Sequence, residues 1–112
     1  IEITGTSNNI SGFIGNFTGN GKRDISYCYT TVDTKNKGGA FILSSSTKAE
    51  CKNCYYTLST GQTTTSPING TEKVDAETLR GKPTTFNDAL DWADYQFVAG
   101  TTDTEPLIIQ KK

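Results

Sequence analysis

Histidine and methionine are absent from this chain of 112 residues, tryptophan occurs once and proline three times. Without an imidazole there is no Ser-His-Asp triad, no Cys-His pair and no histidine metal ligand, which removes the commonest routes to nucleophilic and zinc-dependent hydrolysis. A surplus of positive charge is missing as well: 11 Lys and Arg face 12 Asp and Glu, leaving a formal net charge of −1. Nucleic-acid affinity rests largely on neutralising phosphates, so no nucleic-acid partner is expected. Hydrophobic residues make up 33% of the chain, and no apolar run has the length of a membrane span. The chain opens on Ile1 rather than Met, as expected of a protein from which a signal or anchor segment has been removed, or of a fragment.

What fills the space is uncharged and polar. Thr, Ser, Asn and Gly number 19, 8, 8 and 11, together 46 of the 112 residues. Thr suits a pleated surface with one wet face, while Gly and Asn supply turns. The 11 aromatic residues and the recurring apolar clusters argue against disorder. Charge is uneven: residues 1–60 carry +2 and residues 61–112 carry −3, an asymmetry that bears on association and solubility more than on a site.

Periodicity then predicts the elements of a single domain spanning residues 1–112. Residues 24–32 (DISYCYTTV) read as a strand with Ile25, Tyr27 and Tyr29 on one face and Ser26, Cys28 and Thr30 on the other. The polar stretch 33–39 reads as a hairpin connection into residues 40–46 (AFILSSS), and residues 54–60 (CYYTLST) as a third strand. Together these predict an antiparallel meander over 24–60. Residues 61–72 read as a loop and 73–98 as two helical segments, the first closed by a left-handed cap at Gly81 and the second capped by Thr84 or Thr85. Phe86, Leu90, Ala93 and Phe97 form the apolar stripe of that second helix, and residues 106–110 a final strand. No internal repeat stands out at the usual periods. The expected fold is α+β: an antiparallel sheet of four to six strands with one or two short helices in the C-terminal half, and Phe41, Leu43, Leu58, Leu90 and Phe97 in the core.

Three cysteines, Cys28, Cys51 and Cys54, are the chief chemical candidates. A redox C-x-x-C needs a helix N-terminus to stabilise its thiolate, yet Cys54 is followed by the strand pattern Tyr55-Tyr56-Thr57-Leu58. Zinc would need a carboxylate as fourth ligand. A disulfide from Cys28 to Cys51 or Cys54 is the expected use, with one thiol left over. Asp88, Asp91 and Asp94 recur at three-residue spacing as the solvated face of the second helix, so neither a metal nor a cofactor site is expected. Asn9, Asn16 and Asn69 head N-glycosylation acceptor patterns. Tyr27, Tyr29, Tyr55, Tyr56 and Trp92 are candidates for a sugar-binding surface, although aromatics at such positions commonly pack in the core or pair across strands.

The run 25–31 (ISYCYTT), a polar hairpin, and 39–51 (GAFILSSSTKAEC) resemble the sheet region of type IV pilins and pseudopilins over about a quarter of the chain. That resemblance implies an extracellular filament subunit whose sheet, stapled by a disulfide, packs on a long N-terminal helix. The helix is not among these residues, so it is expected on a removed segment or on a separate helix-bearing partner. An exposed apolar groove lined by Ile10, Phe13 or Ile25 would receive it. The expected function is thus a non-enzymatic structural subunit of an extracellular, pilus-like appendage or fibre, assembling with copies of itself or with that partner. A secreted binding module (an adhesin or carbohydrate-binding domain) and a small secreted toxin or effector are the alternatives.

Overall fold

Three backbone bends organise residues 23–73. Tyr27 and Asn53 both adopt φ 53° and Gly70 adopts φ 86°, the left-handed region that side chains other than Gly and Asn seldom enter. They were located in a computed structural model of the protein, which describes residues 12, 21, 23–33, 41, 49–57 and 70–112. The chain divides into two compact units, residues 1–73 and 74–112.

In the first unit, strand β1 (Arg23–Ser26) runs into the bend at Tyr27 and then into β2 (Tyr29–Thr30). Strand β3 (Ala49–Lys52), the bend at Asn53 and β4 (Cys54–Tyr56) repeat that path, and β5 (Thr71–Lys73) follows the bend at Gly70. The pairings are all parallel. Arg23 lies beside Ala49 and Tyr29 beside Tyr55, both 26 positions on, and Cys54 lies beside Thr71, 17 positions on. The offset of 26 holds on both sides of the first bend and sets Tyr27 beside Asn53, and the offset of 17 after the next sets Asn53 beside Gly70, so the bends stack in register. Hydrogen bonds continue across the bends: the Tyr27 N–H donates to the Lys52 carbonyl (3.0 Å), Tyr55 to Cys28 (2.9 Å) and Cys54 to Gly70 (3.0 Å).

This arrangement corrects the predicted antiparallel meander. Parallel neighbours need a long crossover in place of a tight hairpin, and the sheets are small: two strands (β1, β3), three strands (β2, β4, β5) and, in the second unit, an antiparallel pair. The continuous strand over 24–32 is also corrected, because the left-handed Tyr27 breaks its alternation. Ile25 and Cys28 consequently reach the same side, packing with Cys51 against buried Phe41, Cys54 and Tyr56. Stacked rungs are an internal repeat after all. Residues 24–31 (DISYCYTT) and 50–57 (ECKNCYYT) match at Cys28 and Cys54, Tyr29 and Tyr55, and Thr31 and Thr57. Most of the predicted strand over 40–46, Leu43 and Leu58 lie outside the described residues.

The second unit is α+β, with both helices in the C-terminal half as expected. Helix α1 (Ala76–Arg80) starts at Asp75, whose side chain accepts the Thr78 N–H (2.6 Å), and it buries Leu79 completely. Gly81 ends it at φ −81° rather than in the predicted left-handed cap. Helix α2 (Pro83–Leu90) opens with Pro at its first position, where the missing N–H costs nothing, and no threonine caps it.

A left-handed Asp91 then stops α2, although the apolar stripe runs on in sequence. Phe97 is buried as predicted, but it sits in strand β6 (Tyr95–Ala99), antiparallel to β7 (Leu107–Lys111). Leu90 is half-buried and does not belong to the core. The ladder to β7 outweighs continued helix here, and Asn87 strengthens it. Its side chain donates to the Phe97 carbonyl (2.9 Å) and accepts the Phe97 N–H (2.7 Å), occupying both backbone groups as a neighbouring strand would. Phe86 tilts against Phe97 with ring centres 5.0 Å apart, and Trp92 stacks on Phe97 at 5.5 Å. Gly100 closes the hairpin. Its N–H donates to the Pro106 carbonyl (2.9 Å), and a Cβ there would overlap the Glu105 carbonyl oxygen.

Candidate functional site

The three cysteines come together in the first unit. β3 presents Cys51 beside Ile25 of β1. The bends at Tyr27 and Asn53 bring Cys28 and Cys54 to the equivalent place in consecutive rungs, since the offset of 26 positions that holds before and after the bend also separates these two. Cys54 is fully buried, whereas Cys28 and Cys51 are half-buried, and all three are free thiols.

The Cys28 and Cys54 sulfurs have carbonyl oxygens as well as thiols for neighbours. The Cys28 sulfur lies 3.2 Å from the Ser26 carbonyl oxygen, and the Cys54 sulfur lies near those of Ile25 (3.5 Å) and Lys52 (3.6 Å). Cys28 and Cys51 also share hydrogen bonds with Cys54. The hydrogen bond given to Cys54 pushes the Cys28 thiol up, with burial adding to it. Burial foremost, then Cys54, pushes Cys51 up to about 11. Receiving those hydrogen bonds, Cys54 is drawn below the ordinary thiol value. Of the three, Cys54 is thus the sulfur whose ionisation its neighbours favour, against the opposing effect of its burial. The arrangement is suited to thiol–disulfide chemistry between neighbouring sulfurs.

No helix begins at the C-x-x-C, which spans β3, a bend and β4. Among the described residues, no three His, Cys, Asp or Glu side chains are arranged to hold a metal ion. Comparison with protein-family models, with curated proteins and with solved structures found no match.

The other candidates scatter. Asp88 lies on α2 and Asp91 is its left-handed cap, while Asp94 falls beyond the helix; all three are exposed, so the predicted solvated helix face holds only Asp88. Tyr55 and Tyr56 are buried, Tyr27 and Tyr29 half-buried, and Trp92 belongs to the other unit, stacked on Phe97. Asn9, Asn16 and Asn69 lie outside the described residues, as do Ile10 and Phe13 of the predicted groove. Ile25, the groove's remaining member, packs inward on the cysteine cluster. No helix among the described residues is long and apolar enough to cross a membrane.

Of the residues that position this site, Asn53 and Gly70 carried no expected role, and Tyr27 was expected on a strand face or a sugar-binding surface rather than in a left-handed bend. The available signal was the eight-residue self-similarity at an offset of 26 positions, within the range of periods that marks stacked repeats. It is carried by only two copies, and its bend position is filled by Tyr in one and Asn in the other.

Proposed function

We propose that this chain is a non-enzymatic structural module of an extracellular, filament-like surface structure, in which stacked parallel rungs form the rigid element and assembly proceeds through further copies of the chain. One observation carries the reading: two consecutive rungs repeat the same strand, left-handed bend and strand in register, and the bend and strand at 70–73 continue the stack. A structure of that kind extends along one axis by nearest-neighbour contacts alone, which suits a fibre or stalk. The Thr-, Ser- and Asn-rich composition gives such a stack a wet outer face, and cysteines held beside one another fit an oxidising compartment. The pilin-like expectation shares this functional class, but here the stack takes the part that the pilin's long helix would play.

The test is electron microscopy and fibre diffraction of native material. Filaments with a repeat of about 4.8 Å along the axis, the spacing of neighbouring strands, are expected. Monomers of roughly globular dimensions at every concentration, with no filament in the native material, would overturn the proposal.

A further inference from the structure

The sequence leaves open which cysteines pair, and the register of the rungs narrows the choice. Backbone hydrogen bonds lie on both sides of the Cys28 and Cys54 position, from Tyr27 to Lys52 (3.0 Å) and from Tyr55 to Cys28 (2.9 Å), so the two backbones cannot slide past one another. In-register neighbours stand about 4.8 Å apart, inside the window of about 4.4 to 6.8 Å between Cα atoms that a disulfide requires. Cys51, by contrast, is the register partner of Ile25, three residues before Cys28. A bond between Cys28 and Cys51 would have to run diagonally between rungs. A bond between Cys51 and Cys54 would lie within one rung, where Cys51 is held extended in the ladder and Cys54 is held by the Gly70 carbonyl (3.0 Å) on the far side of the bend.

We propose that Cys28 and Cys54 form a disulfide that staples consecutive rungs, leaving Cys51 as a free thiol beside it. The inference rests on the register of the stack and holds whether or not the stack serves a surface filament. Formation needs an oxidant, and a low-molecular-weight disulfide supplies it. The half-buried Cys28 sulfur is the one of the pair that solvent reaches. With Cys54 ionised, the Cys28 proton passes along their shared hydrogen bond to Cys54 as the Cys28 sulfur attacks the small disulfide, forming a mixed disulfide and releasing one small thiolate, which carries that proton off as a thiol. Cys54, as thiolate, then attacks the Cys28 sulfur and expels the second small thiol. Two S–H bonds are broken and one S–S bond formed in the protein; two electrons and two protons end on the small molecule, which leaves as two thiols. The buried member thus resolves an intermediate begun by the reachable one.

Oxidised glutathione, acid quenching and alkylation of the full chain provide the test. Trypsin cutting at Arg23, Lys35, Lys48, Lys52 and Lys73 places the cysteines on three separate peptides, 24–35, 49–52 and 53–73. The expected product is a single bond joining 24–35 to 53–73, with Cys51 alkylated on 49–52. The Cys51→Ser variant should form the same bond. In guanidinium the preference should disappear and the short Cys51–Cys54 loop should dominate, because closing a shorter loop costs less chain entropy. A bond involving Cys51 in the folded chain, or three alkylated cysteines after oxidation of protein that remains folded by circular dichroism, would overturn the proposal. So would failure of a folded Cys51→Ser variant to oxidise, or an unchanged preference in guanidinium.

Discussion

Gly70→Ala is the substitution that most directly tests the stacked bends. Gly70 adopts φ 86°, a conformation that costs a residue with a Cβ about 1–2 kcal/mol. The added methyl would also overlap the Cys51 carbonyl oxygen. That obstacle is backbone held in the β1–β3 ladder, so no side-chain rotation relieves it. The third rung has to withdraw, weakening the Cys54 N–H bond to the Gly70 carbonyl (3.0 Å), itself worth about 1 kcal/mol. The combined loss is on the order of 3 kcal/mol. Asn53→Gly is the control: it places glycine in the equivalent bend at φ 53°, where Asn is already tolerated, and should change stability by less than about 1 kcal/mol. Because the chain has two units, the readout must be local. Amide hydrogen exchange over residues 49–57 against urea reports on the first unit, while Trp92 fluorescence reports on the second. If Gly70→Ala costs less than about 1 kcal/mol by exchange, the bend at Gly70 does not lie against the Cys51 carbonyl and the argument for registered rungs fails.

Other substitutions probe the remaining links. Asn87→Ala strips both backbone groups of Phe97 of their partners and should destabilise the second unit by about 1–3 kcal/mol in urea titrations followed by Trp92. Phe86→Ala should cost about 3–5 kcal/mol, since the ring is fully buried, and Leu90→Ala distinctly less; the reverse order would reassign the core. Among the described residues the buried Thr57 hydroxyl has no hydrogen-bond partner, so Thr57→Val should raise stability by about 1 kcal/mol by removing an unpaired polar group. Hydrogen bonds from Thr78 hold the Asp75 carboxyl below its ordinary value of 3.8. Its folded value lies under its unfolded one, so its contribution is complete above 3.8 and is lost as the pH falls through the folded value; Asp75→Asn should flatten the acid limb of α1 unfolding seen by exchange.

Some of this molecule was legible from residue order alone. Two short helical segments separated by Gly81 and Pro83 were expected within 73–98, and two form, at Ala76–Arg80 and Pro83–Leu90, although neither expected cap does. The final strand and the burial of Phe41 and Phe97 were likewise local matters of apolar pattern. Phe97 shows where local reasoning stops: its spacing from Phe86 fits a helix, yet it pairs with Ile109 in a hairpin. Only the approach of β7 and the reach of the Asn87 side chain make strand the better solution.

The first unit depended on tertiary structure more completely. Alternation in residues 24–32 suggests one flat strand, and nothing local forces Tyr27 into the left-handed region, which a bulky side chain resists. The bend is held because the Tyr27 N–H and the Cys28 carbonyl find partners in the next rung, 26 positions away. Hydrophobic pattern identifies which residues are buried. It does not distinguish a parallel neighbour from an antiparallel one, since both offer alternating faces and a full ladder. Parallel register is decided when the same bend recurs and equivalent residues stack. That stacking places Cys28 beside Cys54, a juxtaposition that spacing in the sequence left open.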